Sequence, residues 1–323
     1  MSDTQIVENE MLRRQEDSIS KEERALYALE GEIRSLKKSP YYILGMRFVR
    51  IVEEIKRLNF VKLWTSYRNI KRYSLFLERF TDVKPIKEGF EVPLAAYQGS
   101  ERITVYSCIT GGYDEPREPM VKYENCSYVL FSDTLEEGTI NGWEVCRIPE
   151  KLRGLKPADA NRYLKLRPWE FFDSRYTIYV DGNVKIIAGT LSFINQISHK
   201  TGLGIFRHRS RKCLYREAEA CLFIGKGNPD RLKQQVAQYE AEEMPRNYGL
   251  LEASMIVSDL QNPLSRRLLA QWHEEHEKRG SGRDQISLPY VIWKNGLTTE
   301  DIGILGENID EDLRVRRVSH NKR

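Results

Sequence analysis

The stretch YTIYVDGNVKI, residues 176–186, decides how the chain is read. Tyr, Thr, Ile, Tyr and Val are strand formers. They show no polar alternation, so the strand reads as covered on both faces, as in a sheet with helices on each side. It then delivers Asp181, Gly182 and Asn183 before the chain turns apolar again. One reading of D-G-N is a plain turn, in which Gly and Asn tolerate positive φ. The other is a carboxylate and an amide carried to a sheet edge for chemistry.

Working outward, the flanking segments repeat the pattern. ITVYSCIT, CSYVLFSD and WEVCRIP read as strands before it, and GLGIFRHRS and LEASMIVS as strands after it. DANRYLKLRPWEFF, GTLSFINQISHKTG, YREAEACLFI, PDRLKQQVAQYEAEEM and PLSRRLLAQWHEEHEKRG carry helical periods. Strands alternating with helices predict an α/β domain over residues 96–323, with a mostly parallel sheet. In such sheets ligands bind beyond the carboxyl ends of the strands.

Residues 1–95 read differently. Leu26, Leu29, Ile33 and Leu36 form a short heptad seam in a charged helix, which suggests a coiled coil. Pro40 interrupts it, and Leu44, Phe48, Ile51, Ile55 and Leu58 share the next helical face. Residues 41–80 hold nine Lys/Arg against three Glu, a surplus of +6 in a chain whose net charge is only +4. This predicts a helical arm that packs on a neighbour, another copy of the chain included, or an interfacial helix on anionic lipid. No recognised module surrounds the charge, so nucleic acid is not expected as a partner. Two prolines and two glycines over residues 81–101 predict a linker, which would make the arm separable from the domain. No apolar run approaches the roughly 20 residues of a spanning helix. The start MSDTQIVENEMLRRQEDS has no apolar signal core, and the five cysteines lack metal-type spacing. The expectation is a reduced, cytoplasmic protein, at most peripheral to the inner face of a membrane.

Three strands end in polar groups: GGYD (Gly111, Gly112, Tyr113, Asp114) after the first, Asp133 after the second, and Asp181 with Asn183. Glycines at 111 and 112 permit unusual dihedrals and close approach. Asp133 can accept bonds from a base or ribose. Asp181 and Asn183 offer oxygen ligands to Mn²⁺ or Mg²⁺, which would clamp a diphosphate. Arg162 and Lys165 share a helix face. Arg207, His208, Arg211 and Lys212 cluster after a strand, either as a solvated loop or as neutralisers of phosphate. His208 is either a metal ligand or a hydrogen-bond donor. Asp284 stands at a helix start, as an N-cap, a base, or a partner of sugar hydroxyls. Glu217 and Glu219, two apart on a helix, cannot both face one site, and either is a candidate base.

Four blocks, VYSCITGGYDEPREP, NRYLKLRPWEFFDSRYTIYVDGNVKI, FRHRSRKCLYREAEACLFIGK and SGRDQISLPYVIWK, resemble in order the TOD1/MUCI70-type glycosyltransferase-like family of plant cell-wall proteins and bacterial relatives. The resemblance covers about residues 103–295. It implies a GT-A-like nucleotide-sugar fold with D-G-N in place of a D-x-D metal motif. It also implies a donor site drawing on Thr110, Gly111, Gly112, Tyr113, Asp114, Asp133, Arg162, Lys165, Asp181, Gly182, Asn183, Arg207, His208, Lys212, Arg283 and Gln285. The implied reaction moves sugar from a nucleotide-sugar, guessed as UDP-sugar, to a glycan acceptor such as bacterial surface polysaccharide. Asn183 is a weaker ligand than Asp, so Asp181 with basic side chains is the alternative to a metal. A non-catalytic sugar- or partner-binding module is a second reading. A phosphohydrolase is a third, but it needs an acid where Asn183 stands.

Overall fold

The computed structural model describes residues 21–56, 75, 76, 78–81, 97 and 99–320. The remainder of the expected basic segment and linker lies outside the described residues. Two helices come first, α1 (Lys21–Lys38) and α2 (Pro40–Lys56). The strands are β1 (Ile103–Ile109), β2 (Cys126–Ser132), β3 (Gly138–Ile140), β4 (Trp143–Arg147), β5 (Tyr176–Val180), β6 (Val184–Ile186), β7 (Leu203–Arg207), β8 (Leu251–Asp259), β9 (Gly303–Ile304) and β10 (Val315–Arg317). Between them lie α3 (Pro157–Leu166), α4 (Leu214–Ile224), α5 (Pro229–Ala241), α6 (Pro263–Arg279) and α7 (Asp284–Lys294).

Eight strands form one sheet in the order β3-β4-β2-β1-β5-β8-β7-β9, and β6 pairs with β10 beside it. The run β4-β2-β1-β5 is parallel. β8 is inserted antiparallel between β5 and β7. β7 again runs parallel to β9, and the short β3 is antiparallel to β4. The fold is therefore mixed α/β, with four of the seven pairings of the large sheet parallel. The antiparallel β8 matters for the site, because its N-terminal end reaches the edge where the parallel strands finish.

Strand side chains alternate between two cores, as a pleated sheet with two covered faces requires. Tyr106, Tyr179 and Ile256 pack with Leu164, Leu268, Leu269 and Trp272 of the α3–α6 layer. Val105, Ile178, Val180 and Met255 pack on the opposite face with Phe193, Phe206 and Leu305. A third cluster joins α4, α5 and α7 through Leu214, Leu232, Tyr239 and Ile286. The segment expected as a helix after β6 is a 3-10 turn, Thr190–Gln196.

The leucine seam of the N-terminal helix is only partly covered, with Leu26 and Ile33 half-buried. Leu29 and Leu36 are 51% and 65% exposed, whereas Glu23, Glu30 and Arg34 are buried against the domain. Spacing of seven and four places these three on one face. α1 therefore docks through charge, with Tyr27 closing on Gly189, where any Cβ would collide with the Tyr27 hydroxyl.

Candidate active site

A cleft of about 590 Å³ opens at the edge where β1 and β5 end. Thr110, Gly111, Tyr113 and Asp114 form the loop after β1, and Asp181, Gly182 and Asn183 the turn after β5. Gly111 and Gly112 both adopt left-handed φ, at 65° and 60°, which only glycine takes without cost. Gly182 is different: its φ is ordinary, and it is small because a Cβ would lie 2.8 Å from Ile109 Cγ1. D-G-N is thus a tight approach of the turn to β1.

Helix α3 contributes one face. Ala158, Asn161, Arg162 and Lys165 recur at helical spacing and line the cleft, while Ala160 and Leu164 fill the core. Asn161 Nδ2 donates to the Cys108 carbonyl at 2.9 Å and locks α3 to the end of β1. Lys165 Nζ donates to Asp284 Oδ2 at 3.1 Å and lies 3.7 Å from Asp181 Oδ1. Arg162 stands 3.6 Å from Asp284 Oδ1. Tyr179 donates its buried hydroxyl to Asp181 Oδ1 at 2.8 Å.

Asp284 is the first residue of α7, not its cap, which is Arg283. Trp272 Nε1 donates to its carbonyl at 2.7 Å and fixes the helix start. Burial opposes ionisation of Asp284, but Lys165, Arg162, His276 and Arg283 outweigh it and hold the carboxyl well below its usual range. The helix N-terminus adds to this preference for negative charge. Such a carboxylate is a weak base. Its geometry suits binding and positioning.

Glu217 and Glu219 lie outside the cleft. Glu217 is 3% exposed and takes Arg211 at 2.6 Å and Arg283 at 3.3 Å. Burial opposes its charge, yet His208, Arg211 and Arg283 keep its pKa lowered. It orients Arg283, which does line the cleft together with Gln285. Glu219 is exposed and paired with Arg216 at 3.1 Å. Arg207, His208 and Lys212 also belong elsewhere. They line a neighbouring hollow, separated from the cleft because β8 stands between β5 and β7. Arg207 is committed to Glu300 at 3.0 Å and Glu307 at 2.9 Å. His208 is buried, accepts from the Arg211 amide at 3.0 Å, and has its pKa lowered by that burial. Asp133 accepts from the Gly111 amide through both oxygens, at 2.8 and 2.9 Å. It opens into a second hollow of about 450 Å³, across the Gly111 loop.

Several further lining groups were not expected from sequence. Glu252 and Ser254 come from the N-terminal end of β8, hydrogen-bonded to each other at 2.8 Å. Arg317 and His320 come from the C-terminal tail. Arg317 lies 3.6 Å from Glu252, and His320 Nδ1 is 3.0 Å from Asp114 Oδ2. Only the antiparallel run of β8 and the return of the tail bring these groups to the cleft. Lys226 completes the basic wall. The Nε–H groups of Arg162 and Arg283 are buried without a hydrogen-bond partner among the described residues.

Among the described residues, no three His, Cys, Asp or Glu side chains gather as a resident metal needs. Asp181 alone offers a carboxylate from the D-G-N turn, with 34% of its side chain exposed. The Asn183 amide nitrogen faces the tail, 3.4 Å from the Val318 carbonyl. This donor set fits a cation that arrives with phosphate oxygens, since Mg²⁺ commonly takes one or two carboxylates plus substrate phosphates.

No curated protein matches the chain. Among solved structures, apo mouse xyloside xylosyltransferase 1 is similar over 60% of this chain and 82% of its own, with 13% identity and a TM-score of 0.39. The family model of the TOD1/MUCI70, glycosyltransferase-like domain matches residues 161–305, which run from the start of the Asn161–Lys165 face through Asp181 to Asp284 and β9. Residues 161–305 are thus similar to the TOD1/MUCI70, glycosyltransferase-like domain.

Proposed function

We propose that the protein is a nucleotide-sugar-dependent glycosyltransferase of GT-A type, and that the cleft holds the donor's diphosphate and sugar. The observation that carries this reading is Lys165, 3.1 Å from Asp284 and 3.7 Å from Asp181 at the carboxyl edge of the sheet. In the transfer, the bond between the sugar's anomeric carbon and the diphosphate oxygen breaks, and its electron pair stays on the diphosphate. The acceptor oxygen bonds to that carbon and passes its proton to the departing diphosphate, which has gained the electron pair. Charge grows on the leaving diphosphate, and Arg162, Lys165, Lys226, Arg283 and Arg317 surround the space it would fill. Fixed donors aimed at developing charge are worth about 10²–10³ in rate each. Asp284 holds Lys165 and Arg162 in place and offers oxygens to sugar hydroxyls. The nucleoside end crosses Gly111 into the hollow at Asp133. A divalent cation bound by Asp181 and the phosphates would supply further neutralisation. The acceptor is a glycan, of the kind built into a bacterial surface polysaccharide.

The test is a panel of nucleotide sugars, with and without Mn²⁺, read by thermal shift and by release of nucleoside diphosphate. A ligand at 100 times its Kd stabilises by about 2.7 kcal/mol. Stabilisation by one donor, with diphosphate release that needs a glycan acceptor, is the expected result. Binding without turnover would assign a sugar-binding module, and no binding would overturn the reading.

We extend the proposal to α2 as a contact with anionic membrane. Tyr41 is 88% exposed and Leu44 and Phe48 are each 67% exposed, at spacings of three and four on one helical face. The +6 surplus of residues 41–80 supplies the matching charge. Among the described residues, no helix is long and apolar enough to cross a membrane. The full chain is expected to float with anionic but not neutral vesicles, less so at high salt. The triple variant Tyr41→Ser, Leu44→Ser, Phe48→Ser is expected to stay in solution. A lipid-independent dimer that this variant breaks would assign the face to a second copy instead.

A further inference from the structure

The last six described residues, 315–320, form a strap across the mouth of the cleft. β10 pairs with β6 over only three residues, Val315–Ile186, Arg316–Lys185 and Arg317–Val184. Val318 N then donates to the Asn183 carbonyl at 2.8 Å. Side chains alternate along a strand, so Arg317 faces the cleft and Arg316 faces away. A two-stranded ribbon of this length is marginal by itself. Something else must hold it.

That something is α1. Arg34 donates to the Val315 carbonyl at 2.6 Å and to the Asp310 carbonyl at 2.9 Å. Glu30, 2% exposed, accepts from Arg34 Nε at 2.9 Å and from Arg316 Nε at 2.9 Å, with a second bond from the other side of the Arg316 fork. One buried carboxylate therefore ties the N-terminal helix to the back of the strap. The front of the strap carries Arg317 to Glu252 and Ser254, and His320 to Asp114 and Tyr113.

We propose that Glu30 is a positioning residue for the donor site: through Arg316 and Arg34 it sets the strap that places Arg317 and His320 over the diphosphate. The inference rests on the reading of the cleft as a nucleotide-sugar site. It makes α1 a working part of the catalytic unit, against the sequence expectation that residues 1–95 are separable from it. Arg317 and His320 do not touch α1 through these bonds, so the effect of Glu30 passes through the strap backbone and through Asp310, whose carbonyl accepts from Arg34 and whose carboxylate lies 3.3 Å from Arg317 Nε.

The experiment uses the full chain with three variants. Glu30→Gln removes the charge at the centre of the clamp. Arg316→Gln removes its partner from the other side and serves if Glu30→Gln folds poorly. Glu32→Gln changes an exposed acid on the same helix as a control. Two readouts are taken: hydrogen exchange at the amides of residues 315–318, and affinity for uridine diphosphate by calorimetry. Loss of one partner of a buried ion pair is strongly felt locally. The expected result is faster exchange of the strap in Glu30→Gln and Arg316→Gln, and UDP affinity about tenfold weaker, a change of about 1.4 kcal/mol. Glu30→Asp is expected to recover part of both, and Glu32→Gln to match wild type. Unchanged strap exchange in a folded Glu30→Gln overturns the inference. So does loosened exchange with UDP affinity unchanged. Failure of the wild type to bind UDP or any other nucleoside diphosphate counts against the reading of the cleft, and the exchange arm still decides whether α1 holds the strap.

Discussion

Lys165 and Asp284 form an ion pair of 3.1 Å in which both side chains are nearly out of solvent, at 4% and 7% exposure. One comes from the last turn of α3 and the other from the first residue of α7, so the pair fixes two elements that are 119 residues apart in sequence. A buried pair adds little net stability over an apolar one, because desolvation offsets the attraction. Its presence at the cleft floor, with Asp181 alongside, is better explained by what the ammonium does there.

Lys165→Met leaves Asp284 buried with its strongest partner gone and is expected to cost about 3–5 kcal/mol. Lys165→Met with Asp284→Asn removes both charges and is expected to recover much of that loss, while turnover stays absent in both. Calorimetric unfolding of the two singles and the double gives the coupling. Additive losses would mean that the two residues do not depend on one another.

Asp181→Asn is expected to leave the fold intact and to lower turnover at least about a hundredfold, the scale of a lost electrostatic group at the reacting centre. Tyr179→Phe deletes the 2.8 Å bond to Asp181 Oδ1 and is expected to cost about tenfold. Turnover and melting temperature measured together separate a chemical loss from an unfolding one. A folded, fully active Asp181→Asn would remove Asp181 from the site.

The parts of this site that were legible in the sequence are those that follow strands of the parallel run. Asp181, Gly111 and Asp114 follow directly from strands that end in polar residues. Glu252 and Ser254 were not legible, because a site search beyond carboxyl ends passes over an antiparallel strand whose amino end arrives at the same edge. Arg207 and His208 line a different hollow from Asp181 for the same reason: β8 separates their strand from β5. Arg317 and His320 were invisible because β6 and β10 are three residues long, too short for a period. The docking of α1 is not legible in its leucines, because its buried face is Glu23, Glu30 and Arg34, while Leu29 and Leu36 stay in water.

Arg207→Ala tests that placement. Its guanidinium already serves Glu300 and Glu307, both largely exposed, and partly exposed pairs of this kind contribute about 1 kcal/mol or less. Donor affinity is expected to stay within about twofold of wild type, and stability to change by less than about 1 kcal/mol. A large loss of nucleotide affinity would return Arg207 to the donor site.

His273 predicts a pH dependence. It is 2% exposed, and burial first, then the nearby Arg167 and His276, lowers its pKa from the ordinary 6.5 to about 4. Arg167 Nε stands 3.4 Å from its Nδ1, a contact that suits a neutral ring. The sign follows from proton counting. Below about pH 6.5 the unfolded chain takes up a proton at this residue that the folded chain still refuses, so unfolding gains. The contribution is complete above about pH 6.5 and drains away as the pH falls toward about 4, where the folded ring titrates too. His208 and His276 are shifted the same way by burial, so the wild-type slope in this window has more than one source. His273→Gln removes one of them. Urea unfolding at pH 7.5, 6 and 4.5 is expected to show the variant less stable than wild type at pH 7.5, from lost packing, with the gap narrowing at each lower pH. A gap that stays constant across the three would mean that His273 carries its proton in the folded protein as readily as in the unfolded chain.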